Sequence, residues 1–177
     1  MKSPAELNMP SFLELPMIKH IRQNHALEHA TLHTLSNHLP NTMLMGHSDA
    51  GGFWIIGEAP PEMLHAAVQE ALSRLRAGEN QLAIHPNCGT NYITAGTLAG
   101  FAGAAAMIGS GKRLQDKLER LPFVAALATL ALLISQPLGL LIQARITTSG
   151  DLGSLEVTSI SHKSQGRLTV HRVQTRA

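Results

Sequence analysis

One cysteine in 177 residues rules out an intramolecular disulfide and leaves Cys88 as either an inert thiol or a metal donor. Aromatic residues make up 3% of the chain and charged residues 15%, against 44% hydrophobic, with a mean hydropathy of +0.05. That is apolar for a soluble domain and poor in charge, and points toward a bilayer. The net charge of +2 is too small and too dispersed for a nucleic-acid footprint, so neither DNA nor RNA is expected as a partner. There is no glycine-rich phosphate loop and no Ser-His-Asp order. The opening MKSPAELNMPSFLELP lacks the apolar centre of a signal peptide, so insertion is expected to come from later segments.

Two long apolar runs occupy the second half. No charged residue occurs from Pro86 to Gly111, and none from Leu121 to Ala144. Both runs exceed the roughly 18 residues needed to cross hydrocarbon. LPFVAALATLALLISQPLGLLI holds twelve Leu, Ile, Val and Phe residues, worth about 4 to 7 kcal/mol of insertion free energy. ITAGTLAGFAGAAAMIG holds four, worth about 1 to 2.5 kcal/mol. It would insert poorly alone. Its Gly96 and Gly100, four apart, followed by Gly103, predict a groove into which the second helix packs. The expectation is a two-helix transmembrane hairpin. The connection carries Lys112, Arg113, Lys117 and Arg120, which the positive-inside rule places in the cytoplasm, although Arg74, Arg76 and Arg145 weaken that asymmetry.

The first half reads as a small α+β domain. Met17 to His38 is helical in period, between Pro16 and Pro40. NTMLMGHSDAGGFWIIGEAP predicts two short strands around an Asp-Ala-Gly-Gly turn, with Phe53 to Ile56 as the apolar strand. PPEMLHAAVQEALSRLRAGE predicts an amphipathic helix with its stripe at Leu64, Ala67, Val68, Ala71, Leu72 and Leu75 and its stop at Gly78. QLAIH predicts a brief strand delivering His85 into the loop PNCGTN, directly before the first apolar run. After the second run, LEVTSISHKSQGRLTVHRV predicts a hairpin turning at Ser164 to Gly166, with Lys163, Arg167 and Arg172 facing water or anionic headgroups. The expected division is residues 1–90 as the site-bearing domain, 91–144 as the helical hairpin and 145–177 as a C-terminal β-hairpin packed on the first domain.

Chemistry concentrates in NHALEHATLHTL. His25, His29 and His33 recur every four residues, so they form one stripe of a helix with Glu28 beside it. His25-Ala-Leu-Glu28-His29 has the H-x-x-E-H spacing, in which two imidazoles bind zinc and the carboxylate works on a water without ligating the ion. With ten histidines in the chain, six of them before residue 48, such spacing also arises among ordinary surface or core histidines. A second element, His85-Pro-Asn-Cys88-Gly-Thr, places His and Cys three apart in a turn. Together the two motifs offer His25, His29, His85 and Cys88, a nitrogen and sulfur set suited to Zn²⁺ or another divalent transition metal. Donors sharing one ion at about 2.0 Å must converge to within about 4 to 5 Å of one another. His33 is a further donor or a polar neighbour. Asp49 with Gly51 and Gly52 reads as a hairpin turn before a binding turn, Trp54 as core or interfacial anchor, and Glu58, Glu62, Glu70 and Glu79 as cap or solvated-face residues before ligands.

HALEH and HPNCGT resemble the paired signatures of the YqhQ-type bacterial membrane proteins, which run His-Gly-Ala-Glu-His and then His-Pro-Arg-Cys-Gly-Thr before a transmembrane helix. His25, Glu28, His29, His85, Pro86, Cys88, Gly89 and Thr90 match, while Leu27 and Asn87 depart at positions that need not touch a metal. The spacer and the C-terminal hairpin are not covered. The whole chain is also similar to a smaller bacterial membrane family of about this length. The resemblance implies a metal-dependent enzyme of a bacterial cell membrane.

Two function classes follow. With an open fourth position, zinc-bound water and Glu28 give a hydrolase, with peptidase the natural subclass and a peptide as substrate. With four protein donors the site is a closed cage, and the chain becomes an assembly or accessory subunit with a membrane-protein partner. Haem or chlorophyll carriage fits poorly, because neither apolar run contains a histidine.

Overall fold

The computed structural model describes residues 11–165 and 168–177, in two compact units. One comprises the described chain up to His85 together with Ala144–Ala177, the other Pro86–Gln143. The first unit holds helices α1 (Pro16–His38) and α2 (Pro61–Arg76) and strands β1 (Leu44–Asp49), β2 (Gly52–Gly57), β3 (Glu156–Gln165) and β4 (Leu168–Arg176). The second holds α3 (Gly89–Ala106), α4 (Leu114–Glu119) and α5 (Leu121–Ile142).

In the first unit a proline starts each helix, at a position where the missing N–H costs no hydrogen bond. α2 buries Leu64, Ala67, Val68, Ala71, Leu72 and Leu75, the six residues of its apolar stripe. α1 is different. Twelve of its 23 residues are buried, spread around the helix and including Arg22, Gln23, Asn24, Glu28, His29, Thr31 and Thr34. It packs against α2, β1 and β2, and so occupies the middle of the unit.

The four strands form one antiparallel sheet in the order β1-β2-β4-β3, so the C-terminal hairpin pairs with the N-terminal one through β2 and β4. Phe53 opposite Val173 and Ile55 opposite His171 are fully buried and join Leu27, Ala30, Leu35 and the α2 stripe in one core. On the other face Trp54 lies opposite Arg172. The Arg172 guanidinium stacks 4.7 Å from the Trp54 ring and donates to both Asp49 carboxylate oxygens at 2.8 Å. Asp49 also accepts from the Gly51 N–H at 2.7 Å and from the Trp54 indole at 3.3 Å. Arg172 is therefore held within the sheet rather than facing headgroups, and Asp49 with Trp54 locks the hairpin. Of the expected hairpin residues, Gly166 and Arg167 lie outside the described residues, as does most of the N-terminal segment.

QLAIH is not a strand. Asn80–Ala83 forms a short 3-10 turn, and the carbonyls of Ala83 and Ile84 accept hydrogen bonds from α1 side chains instead of a ladder. The connection between the apolar runs is likewise partly helical, with Asp116 accepting from the Arg113 N–H at the start of α4.

In the second unit α3 packs along α5, but not through the expected glycine pair. Positions where Gly96 and Gly100 would carry a Cβ face open space. Close approach occurs at Gly139, where a Cβ would overlap the Asn91 side chain, and at Gly103 beside Val124. Asn91 also accepts from the Gln143 amide at 2.7 Å. Among the described residues, one helix is long and apolar enough to cross a membrane, Leu114–Thr147. α3 falls short because alanine, glycine and threonine dilute its apolar content.

Arg172→Ala should lower unfolding free energy by about 1 to 2 kcal/mol, measured by denaturant titration, through loss of the stack and the exposed ion pair. Hydrogen bonds from Arg172 hold the Asp49 carboxyl below its ordinary value. Their contribution is present above about pH 4 and lost as pH falls through the folded value. Arg172→Ala should weaken that acid dependence, leaving the smaller part owed to Gly51 and Trp54.

Candidate metal centre

The site begins with buried polar groups on α1 that need partners, since an unpaired buried donor costs about 1 to 3 kcal/mol. His29 is 1% exposed, and its Nδ1 bonds the Ala83 carbonyl at 2.8 Å. His25 Nδ1 bonds the Thr147 carbonyl at 3.0 Å, and His33 Nε2 bonds the Ile84 carbonyl at 2.8 Å. A carbonyl can only accept, so each of these nitrogens carries the proton, which makes Nε2 of His25 and His29 and Nδ1 of His33 the lone-pair nitrogens. This is how metal-binding imidazoles are oriented, by a hydrogen bond to the opposite ring nitrogen.

The rings form a row. His25 and His29 are edge to face with centroids 4.3 Å apart, His29 and His85 are 5.6 Å apart, and His85 and His33 are 4.8 Å apart. Burial, with the other imidazoles nearby, holds His29 down to about 3 and His85 down to about 4. Both are neutral at pH 7, so each ring carries one lone-pair nitrogen. The ligand atoms of His25, His29 and Cys88 lie within 4.8 Å of one another, a group that could hold a metal ion. Cys88 is a buried thiol at the N-cap of α3, where its sulfur accepts from the Thr90 N–H. His85 stands outside that group, against His33.

Glu28 is buried, with its carboxylate against β1. A Cβ on Gly46 would overlap Glu28 Oε1 and stand 2.6 Å from its carboxyl carbon. Gly46 thus makes the space that the Glu28 carboxylate fills. Its signal in the sequence is a glycine inside an apolar strand pattern, which marks close approach of another group. The supporting carbonyls of Ala83, Ile84 and Thr147 leave no such signal, because any residue supplies a carbonyl. A hydrogen-bonded chain also missed by spacing runs from His20 to Thr175 (3.0 Å), from Thr175 to Asn24 (2.6 Å) and from Asn24 to the Asp49 carbonyl (2.9 Å), tying α1 to β4 and the first hairpin. Glu70 and Glu79 pair with Arg74 and carry no ligand role, and Glu62 sits in the first turn of α2.

The family model described as "Domain of unknown function (DUF6391)" matches residues 20–160. The chain belongs to that family. The matched part of this DUF6391 member includes α1 from His20 onward, the first hairpin, α2, both motifs and all of the second unit. It is 40% identical over 139 residues to an uncharacterized protein of Picosynechococcus sp., covering 73% of this chain. The chain spans 66% of that relative's length. No solved structure matches it.

Two outcomes test the site. Gly46→Ala should displace Glu28 while leaving the helical and strand content unchanged, seen as altered backbone amide shifts around Glu28. In metal-free buffer the folded His29 and His85 stay neutral while the unfolded chain takes up protons below about pH 6.5. The melting temperature should therefore fall as pH drops from about 6.5 toward 4, and hold above it.

Proposed function

We propose that this protein is a membrane-anchored, zinc-dependent hydrolase of the peptidase type. The observation that carries the reading is the set of three converging donors, His25, His29 and Cys88, with Glu28 on the same helix. Three protein donors leave one position of a tetrahedral ion for water, which is the pattern of catalytic rather than structural zinc. A zinc ion bound there would lower the pKa of its water to about 7. His25 and His29 hold their lone pairs in place through their backbone anchors. Glu28, on the same helix with its carboxylate against Gly46, would be the group to take a proton from a water held there.

The membrane part rests on the helix Leu114–Thr147, of whose most apolar window only 11% is buried. The core helix of a soluble protein would be mostly covered. Tyr92, Phe101, Leu130, Leu133 and Ile134 are all more than half exposed, a larger apolar surface than a soluble monomer carries. α3 accompanies that helix as its partner, and the motif ending at Thr90 leads directly into it. The likeness to the YqhQ-type proteins supports the same placement through the ligand motifs.

A closed structural cage is the second reading, favoured by the nearness of His85 to His29. Metal analysis of the purified full chain separates the two. Wild type should hold one zinc per chain, and His29→Ala should lose it. His85→Ala should retain it under the hydrolase reading and weaken it about 10- to 100-fold or more under the cage reading. Glu28→Gln should keep the metal and lose hydrolysis of a casein substrate. Wild type that purifies without metal and binds none on titration would sink both readings.

A further inference from the structure

We infer that the outer edge of β1 seats an extended polypeptide substrate, which adds to the sheet as a fifth strand alongside Glu28. The inference rests on the hydrolase reading and names its substrate class.

Among the described residues β1 is the terminal strand of the sheet, hydrogen-bonded to β2 alone. A sheet edge presents a row of main-chain N–H and C=O groups to any extended chain. Proteins normally blunt such edges with lysine, proline or a bulge. The other edge of this sheet, β3, is blunted in that way, by a bulge between Val157 and Ser159 and by Lys163. β1 is not. Thr42 to Ser48 reads TMLMGHS, with no charge and no proline, and its register with β2 runs unbroken from Leu44 to Asp49. Met43 and Met45 are 82% and 56% exposed.

The edge and the motif's carboxylate meet at one residue. Gly46 has no side chain, and the Glu28 carboxyl group fills the space a Cβ would take. A strand docked on β1 would therefore run alongside Gly46, the residue whose face Glu28 covers. Main-chain pairing recognises polypeptide in extended form, and the uncharged methionine-bearing edge suits a substrate segment of apolar and uncharged residues. In the hydrolysis the water oxygen bonds to the scissile carbonyl carbon and the C–N bond breaks. Glu28 receives the water's proton and delivers it to the departing amine nitrogen, leaving a new carboxyl and a new amino terminus.

The test uses the full chain in detergent as the uncleaving Glu28→Gln variant, with a photo-crosslinking amino acid at Met45 and, as control, at Gln115. The probe is a fluorescent, terminally blocked peptide of alternating Thr and Val. Its two counterparts are N-methylated on alternate amides in either frame, so that each has one edge unable to pair. Capture at position 45 but not 115, with at least one methylated peptide binding about tenfold or more weakly, supports the inference. Equal binding of all three peptides, capture at position 115 as strong as at 45, no binding, or capture of a second copy of the chain at position 45 overturns it. Zinc content measured on the same wild-type preparation decides the hydrolase reading separately. Zinc-loaded protein that ignores the peptides sinks the edge alone, whereas metal-free protein sinks the hydrolase whatever the peptides do.

Discussion

A helix buried on most of its sides, yet rich in polar residues, must find its hydrogen bonds in the backbone of its neighbours. α1 is that helix. Arg22 donates to the Thr148 carbonyl at 3.0 Å, Gln23 to the Asp151 carbonyl at 3.0 Å and Asn24 to the Asp49 carbonyl at 2.9 Å, while His25, His29 and His33 use Thr147, Ala83 and Ile84. These carbonyls come from irregular chain and strand ends, where the backbone has acceptors to spare. The irregular path of Asn80–His85 is thus what the imidazoles require. A regular strand there would commit alternate carbonyls to a ladder and leave His29 or His33 without an acceptor. The exceptions are few: among the described residues Arg22 Nε, Thr34 Oγ1 and His171 Nδ1 are buried without a partner.

Features set by local chemistry were legible in the sequence. The α2 stripe, the prolines that open α1 and α2, and the Asp-Ala-Gly-Gly turn all depend on residues close in sequence, and each appears where its periodicity or turn chemistry predicts. The helical spacing of His25, Glu28 and His29 was readable for the same reason. Long-range pairing was not. Arg172 reads as a solvated charge on an alternating strand, and only the β2–β4 register brings it over Trp54 and onto Asp49, 123 positions earlier. The role of Gly46 is not legible locally either, because its meaning lies in Glu28, eighteen positions earlier. The glycines of α3 show the opposite error: spacing alone suggested a groove at Gly96 and Gly100, but small residues permit close approach without fixing which face is used.

The second unit obeys the same accounting in a less polar setting. Pro137 removes one backbone donor from α5, and the helix ends in a wider turn at Gln143–Thr147. Gln143 is fully buried and donates to Asn91 of α3, whose side chain occupies the space beside Gly139. In a helix pair with few other polar side chains, this amide pair ties the end of α5 to the start of α3, since a shift of one helix along the other would break it. Gly139 is the residue that makes room for it.

The imidazole row shows why such a site would be costly to keep for packing alone. Leucines in place of His29 and His85 would fill similar space with no desolvation penalty and no need for carbonyl partners. What the histidines supply instead is neutral nitrogen donors held in fixed directions at pH 7. Metal ligands must be deprotonated to bind, and in an unfolded chain at mildly acidic pH an ion would have to displace protons from them. Here burial and mutual proximity have already removed those protons from His29 and His85, and the backbone anchors have already chosen which nitrogen of His25 and His29 is left to donate. Folding thus carries the cost of ligand deprotonation and orientation in advance, so that a divalent ion bound there would not have to meet it.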